Sequence, residues 1–138
     1  MEILNEFRIM ITEDYVSFGV AKLLKEKGFD EPCEGFYVNS GVLSHTLSNA
    51  NNSKWDEEKY TIGYISAPSL GMAMKWLREV HSIDISIDIR FWTDDEGVDV
   101  KSWRYTVYRT DEIEDFGQSD TYEEAAEAAI KSALENLI

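Results

Sequence analysis

The hydrophobic pattern along the chain is clearest between Ser66 and Trp92, where its period changes once. In the first half of this stretch, apolar residues recur at steps of three and four, which places their side chains on one face of a helix. These residues are Leu70, Ala73, Met74, Leu77 and Val80. Pro68 suits the first helical turn, with Ser66 as the predicted N-cap and Ser69 as the alternative. The pattern therefore predicts a central amphipathic helix that ends near His81.

A strand follows this helix directly, because the period changes from 3.6 to 2 after Ser82. Its apolar residues are Ile83, Ile85, Ile87, Ile89 and Phe91, and they alternate with Asp84, Ser86, Asp88 and Arg90. Such a strand buries one face and exposes the other, and a slip of one residue would expose the whole apolar set. We therefore predict that Ile85, Ile87 and Ile89 are core residues, together with Leu77 of the helix.

A first helix is predicted over roughly residues 17–27 from the spacing of its apolar side chains, with Ser17 as its start and Thr12 as an earlier alternative. Gly28 is suited to the left-handed conformation that ends a helix, and Phe29 would then contact Leu24. Residues 1–11 fit a short strand, with the start of a helix as the alternative.

Short strands and a polar loop are predicted between the first and central helices. The strands cover residues 36–38, 42–47 and 60–65, since these runs are rich in aromatic and β-branched residues. Residues 48–53 contain only small and polar side chains, so we expect them to form a mobile loop tip.

The central strand should pair with a second long strand over residues 98–109 through a turn at 93–97. Residues 111–120 are expected to form an acidic loop. Thr121 and Glu124 have the spacing of a capping box, which predicts the start of a final helix.

These elements predict an α+β fold with the rough order α-β-β-α-β-β-α. Its sheet would be mainly antiparallel, with the helices packed on one face. We find no internal repeat and no linker, and 138 residues is a usual size for one domain. Residues 1–138 are therefore predicted to form a single α+β domain.

The net charge of the chain limits the classes of molecule that we expect it to bind. The chain carries 13 Lys and Arg against 27 Asp and Glu, a formal net charge of −14 at pH 7. Residues 111–127 contain eight acidic side chains and no basic one. Such a surface repels phosphate and anionic lipid, so we expect negligible affinity for nucleic acid and for membranes. A basic protein or peptide is the partner that this charge favours.

Cysteine usage and hydropathy indicate a cytoplasmic protein. Cys33 is the only cysteine, so no intrachain disulfide is possible, which fits a reducing compartment. The first residues lack the basic-then-apolar layout of a signal peptide. No apolar run approaches the roughly 20 residues of a membrane span.

Candidate catalytic residues have simpler structural explanations. His81 would need a positioned carboxylate to act as a general base, and the sequence indicates none, so a capping or packing role is predicted. His45 lies in a polar stretch and is expected to be solvated. Cys33 lies beside Glu34, whose charge disfavours a thiolate, so a buried structural cysteine is expected. One cysteine and two histidines do not give a zinc spacing. We therefore predict no catalytic, cofactor or metal residue.

Three stretches resemble a family of small proteins of unknown function from Bacteroides-type gut bacteria and their phages or mobile elements. They are Leu24 to Cys33, Ala67 to Ile83 and Thr121 to Leu134. The family often has His-Gly-Ile where this chain has His81-Ser82-Ile83, so a glycine-type helix end is not expected here. The resemblance implies a compact domain in the cytoplasm and assigns no activity.

Two functional classes are consistent with the sequence. The first is a non-catalytic binding or regulatory module, of phage or mobile-element origin, which acts on a protein partner. The alternative is a small enzyme or ligand-binding domain with a pocket where His81, tyrosine and carboxylate side chains converge.

Large aromatic residues are the candidate partner-binding residues. Trp92 has the opposite parity to Phe91, so it should point away from the isoleucine face. The predicted patch combines Trp92 with Trp103 or Tyr108, and Trp76 lies at the margin of the helix's apolar face. Large exposed aromatics commonly anchor interfaces. The alternative is that the N-terminal segment or the 111–120 loop covers Trp92.

Overall fold

The computed structural model describes residues 11–138, apart from the side chains of Leu47 and Ser48. The element predicted at residues 1–11 therefore lies almost entirely outside the described residues. In the described part the helices are α1 (Phe18–Glu26), α2 (Asn52–Glu57), α3 (Leu70–His81) and α4 (Tyr122–Asn136). The strands are β1 (Cys33–Tyr37), β2 (Leu43–Ala50), β3 (Ile65–Ser66), β4 (Ile83–Thr93), β5 (Asp99–Arg109) and β6 (Glu112–Ser119).

The strands form two antiparallel sheets, with the orders β2-β1-β3 and β4-β5-β6. The α+β fold class is therefore confirmed. The predicted order of elements was incomplete, because α2 and β6 were missed. The strand predicted at 60–65 was too long, since only its last residue lies in β3.

Helices α1, α3 and α4 enclose the main core together with one face of the β4-β5-β6 sheet. Gly28 has a φ of +96°, and the N–H of Phe29 donates to the carbonyl of Leu24 at 2.8 Å. The predicted glycine end of α1 is therefore confirmed. The largest fully buried side chains include Phe29, Leu24, Leu77, Ile83, Ile130 and Leu134.

Helix α3 begins at a different serine from the one predicted. Ser69 is the N-cap, and its Oγ accepts from the N–H of Met72 at 3.1 Å. Ser66 belongs to β3 and is unable to cap the helix, and Pro68 precedes the cap rather than opening the first turn. Val80 is exposed, and Trp76 takes its place on the buried side of the helix.

Helix α3 ends at Ser82 in the left-handed conformation, with φ 55° and ψ 36°. The N–H of Ser82 donates to the carbonyl of Leu77. Ser82 therefore adopts the left-handed conformation that glycine usually provides at a helix end. This helix end was not expected from the sequence, which has no glycine at this position. The conformation brings Ile83 directly into the sheet.

Replacing Ser82 by Gly is expected to stabilise the protein. The left-handed region costs an L-residue roughly 1–2 kcal/mol, and glycine avoids this at an entropic cost of roughly 0.5–1 kcal/mol. We therefore expect a net gain of about 0.5–1 kcal/mol in the free energy of unfolding, measured by urea denaturation. Ser82→Ala is the control, because it removes the hydroxyl and keeps the unfavourable φ. A Gly variant that unfolds at the same or a lower urea concentration would contradict this account.

Burial falls steadily along β4. Ile83 is fully buried, Ile85 and Ile87 are half-buried, and Ile89 and Phe91 are exposed, with Phe91 at 71%. The prediction that Ile85, Ile87 and Ile89 are core was therefore too broad. The packed interior lies at the Ile83 end of the strand, and β6 pairs with β5 only as far as Trp103, which is opposite Ile89. Beyond that point β4 and β5 continue as a two-stranded ribbon.

Two segments predicted as loops are regular structure. Residues 48–50 belong to β2, and Asn51 then caps α2 by accepting from the N–H of Lys54 at 3.2 Å. Most of the predicted acidic loop at 111–120 is strand β6. It pairs with β5 and forms one edge of the larger sheet.

Candidate binding surface

The two faces of the β4-β5-β6 sheet differ in what covers them. Register assigns Ile85 of β4, Val107 of β5 and Asp115 of β6 to one face, because directly opposed residues point to the same side. Helix α4 packs on this side, which we call the covered face. The other side is the open face. Its larger side chains are Trp92, Val100, Arg104, Tyr108, Ile113 and Phe116.

Polar contacts between the sheet and α4 centre on Asp115. The Asp115 carboxylate accepts from the hydroxyl of Tyr105 at 3.3 Å and from that of Ser132 at 2.5 Å. Burial and the charge of Asp115 raise the pKa of Tyr105 above its ordinary value. A row of fully buried alanines lets α4 lie close to the sheet. They are Ala125, Ala126, Ala129 and Ala133. These two hydrogen bonds give Asp115 a structural role, because they connect β6 with β5 and with α4.

The open face exposes large apolar side chains. Phe116 is 61% exposed, Ile113 is 57% exposed and Trp92 is 44% exposed. Arg104 lies over the Phe116 ring, with its guanidinium carbon 5.4 Å from the ring centroid. Exposed aromatic surface of this kind, beside a polar group, is typical of protein interaction sites.

The four predicted partner-binding residues are not brought together. Trp76 is 6% exposed and packs against Phe29 and His81 in the interior. Trp103 lies on the covered face, where its ring meets Tyr122 edge-on at 5.5 Å. The described structure therefore leaves neither residue on the open face.

Trp92 and Tyr108 do share the open face, but at opposite ends. Tyr108 is opposite Asp84, and Trp92 is opposite Val100. Eight residues of β4 separate Asp84 from Trp92, or about 27 Å at ~3.4 Å per residue. The two aromatics do not form one patch.

Sequence reasoning missed Ile113 and Phe116 because it assigned their segment to a loop. The two residues are three apart, which does not fit the alternation of a strand. A bulge in β6 opposite the step from Val107 to Tyr108 restores them to the same face. The sequence carries little signal for this hairpin, because its two-residue turn, Thr110-Asp111, lacks the glycine or asparagine typical of such turns.

Charges are mixed on the open face and acidic at its end. Asp84, Asp88, Arg90 and Arg104 lie on the face itself. The turn between β4 and β5 carries three consecutive exposed acids at 94–96. A partner's basic residues would meet complementary charge at this rim.

A separate cavity of about 410 Å³ lies between the N-terminal segment, β1 and α3. Its lining includes Glu13, Tyr15, Cys33, Glu34, Asn49 and Met72. Burial, followed by the charges of Glu34 and Glu13, raises the pKa of Tyr15. Burial also raises the pKa of the Cys33 thiol, which disfavours the nucleophilic thiolate. Over residues 11–138 no group of metal-ligating side chains is suited to hold an ion.

His81 lies outside this cavity. Its ring packs edge-on against Trp76 with centroids 4.6 Å apart, and its Nε2 is buried without a hydrogen-bond partner among the described residues. The convergence of His81, tyrosine and carboxylates that would favour an enzyme is therefore not present in the described part. His45 contacts the ring of Tyr15 at a centroid distance of 4.9 Å.

Comparisons with protein-family models, with curated proteins and with solved structures give no match. None of the helices in residues 11–138 has the length and apolar character needed to cross a membrane. The open face is the candidate site because it exposes Phe116, Ile113 and Trp92.

Proposed function

We propose that the protein is a non-catalytic binding module that uses the open face to hold a basic protein or peptide. The observation that carries the proposal is the exposed apolar surface on this face, where Phe116 and Ile113 lie towards the Tyr108 end and Trp92 lies at the opposite end. Large apolar side chains exposed to water are common at interaction sites, and interfaces often use aromatic ones as anchors.

The formal charge of −14 supports a basic partner. A strongly acidic protein speeds its encounter with cationic partners and repels anionic ones. The acids at 94–96 lie at the Trp92 end of the open face, so a ligand that contacts Trp92 would also meet these acids. A single cysteine, which is buried and forms no intrachain disulfide, fits a reducing compartment such as the cytoplasm.

A defined peptide library tests the proposal. Peptides of random sequence displayed on phage would be selected on the immobilised protein at physiological salt. We expect the selected peptides to be enriched in Lys and Arg beside aliphatic or aromatic residues. Their affinity for the Phe116→Ala variant should fall by about tenfold or more, as for an interface anchor. Trp92→Ala should weaken binding as well.

Phe91→Ala is the matched control. Phe91 is at least as exposed as Phe116 and lies on the same sheet, but it points to the covered-face side. Its replacement should leave peptide affinity unchanged, and thermal unfolding of all three variants would detect any loss of fold. Selected peptides without basic residues, or equal loss of affinity at Phe91 and Phe116, would contradict the proposal.

A further inference from the structure

Strand β4 is an outer strand of its sheet, and its pairing with β5 is unusually regular. It lies at the end of the order β4-β5-β6, and over residues 11–138 no strand pairs with its second side. Its eleven residues pair with β5 from Ile83 to Thr93 without a bulge. Exposed edges are usually blunted by bulges, proline or lysine, because they pair readily with other strands.

The other long outer strands of the two sheets are blunted. A register shift interrupts β6 opposite the step from Val107 to Tyr108, and another interrupts the pairing of β1 with β2 between Cys33 and Gly35. Strand β4 contains no proline and no lysine. It therefore retains the features of an edge that pairs with another strand.

The sequence of β4 is complementary to itself in the antiparallel direction. If two copies meet with Ile87 opposite Ile87, every residue of the isoleucine face from Ile83 to Phe91 lies opposite another apolar residue, while Trp92 lies opposite Ser82. The pairs are Ile87 with Ile87, Ile85 with Ile89, and Ile83 with Phe91, with the last two made twice. On the other side, Asp84 meets Arg90 twice and Ser86 meets Asp88 twice. Directly opposed opposite charges stabilise antiparallel pairs.

Charge disfavours three of the neighbouring registers. Centring the pair on Ser86 places Asp84 against Asp88, and centring it on Asp88 places that carboxylate against its own copy. A pair centred on Ile89 joins Asp88 to Arg90 but brings Asp84 against Asp94. Like charges directly opposite one another are destabilising.

We propose that the protein forms a homodimer through antiparallel pairing of two β4 strands about Ile87. The two sheets join into one continuous sheet of six strands, with both α4 helices on the same side. The exposed Phe91 of each copy then lies beside Ile83 of the other. The two open faces then form one continuous surface with twice the area of a single open face. The dimer is an addition to the binding role proposed for the single chain.

The first test exchanges the charges of the Asp84–Arg90 pair. Sedimentation of the purified protein over a range of concentrations at physiological salt should show a reversible dimer. Arg90→Asp and Asp84→Arg should each raise the dissociation constant at least tenfold, because each creates two like-charge pairs. The double variant Asp84→Arg/Arg90→Asp keeps the net charge of −14 and should restore dimerisation. A chain that is monomeric at every concentration, or a dimer that these single changes leave intact, would overturn the proposal.

The second test fixes the register with cysteine. Opposed Cα atoms in antiparallel strands lie about 4.5–5.5 Å apart, which is within the range of a disulfide. Under mild oxidation with diamide, Ile87→Cys should form a covalent dimer rapidly, and Ile89→Cys should form one slowly. Faster linkage at position 89 would overturn the register. The wild-type chain is the control, since Cys33 is buried. Loss of peptide binding in the Phe116→Ala variant does not affect either readout, so the two proposals fail separately.

Discussion

Replacing Leu77 by Ala is expected to lower the free energy of unfolding by about 3–5 kcal/mol, the upper part of the range for buried leucine. Leu77 is fully buried where α3 meets the rest of the core. The truncation removes apolar contacts and leaves a cavity that well-packed neighbours are unable to fill. Urea denaturation followed by circular dichroism measures the change.

Two further substitutions serve as comparisons for Leu77→Ala. Val80→Ala on the same helix should cost less than about 0.5 kcal/mol, because Val80 is exposed. The sequence alone predicts that Ile87→Ala costs about 2–5 kcal/mol, as for a core residue. Its half-burial in the structure lowers this to roughly half the cost of Leu77→Ala. Equal losses at Leu77 and Ile87 would mean that the covered face extends further along β4 than described, or that a second chain covers it.

Replacing Asn52 by Leu is expected to cost about 2–6 kcal/mol, from two buried backbone groups left unpaired at roughly 1–3 kcal/mol each. The Asn52 amide donates to the carbonyl of Phe29 at 2.8 Å, and its Oδ1 accepts from the N–H of Ser66 at 2.9 Å. The side chain is 4% exposed. It therefore joins the end of α1 to strand β3.

Asn49→Leu is the matched control for Asn52→Leu. Asn49 is the same residue type three positions earlier, and it is exposed. The same substitution there should change stability by no more than about 0.5 kcal/mol. Thermal unfolding of the two variants side by side compares them. Similar midpoints would show that the two hydrogen bonds of Asn52 contribute little.

The central helix and strand could be predicted because their patterns are long. Twelve residues of α3 and eleven of β4 give several repeats of each period, and both elements are present. The depth of burial could not be predicted in the same way. Trp76 and Val80 both border the apolar face of α3, and only the packing of Phe29 and His81 against Trp76 decides which of the two is buried.

The missed elements are those in which local pattern is weak. Helix α2 has only six residues, less than two turns, so no helical period develops. Strand β6 is acidic and contains a bulge, which breaks its alternation. Tertiary pairing with β5 decides its conformation.

The candidate site could be predicted only in part for the same reason. The outward direction of Trp92 follows from parity in β4, and the structure agrees. Phe116 and Ile113 depend on β6, so no pattern in β4 or β5 indicates them. The position of Trp103 under α4 depends on where that helix lies, which its own sequence does not specify.

The ribbon of β4 and β5 beyond Ile89 affects how this protein is able to change during evolution. Every residue from Asp88 to Asp99 is exposed, while the buried core ends nearer to Ile83. Adding or removing one residue in each strand near the turn would change the length of the ribbon. The rest of both strands would keep its register and its inward or outward direction. Selection is therefore able to vary the length and side chains of this arm without a matching change in the packed interior.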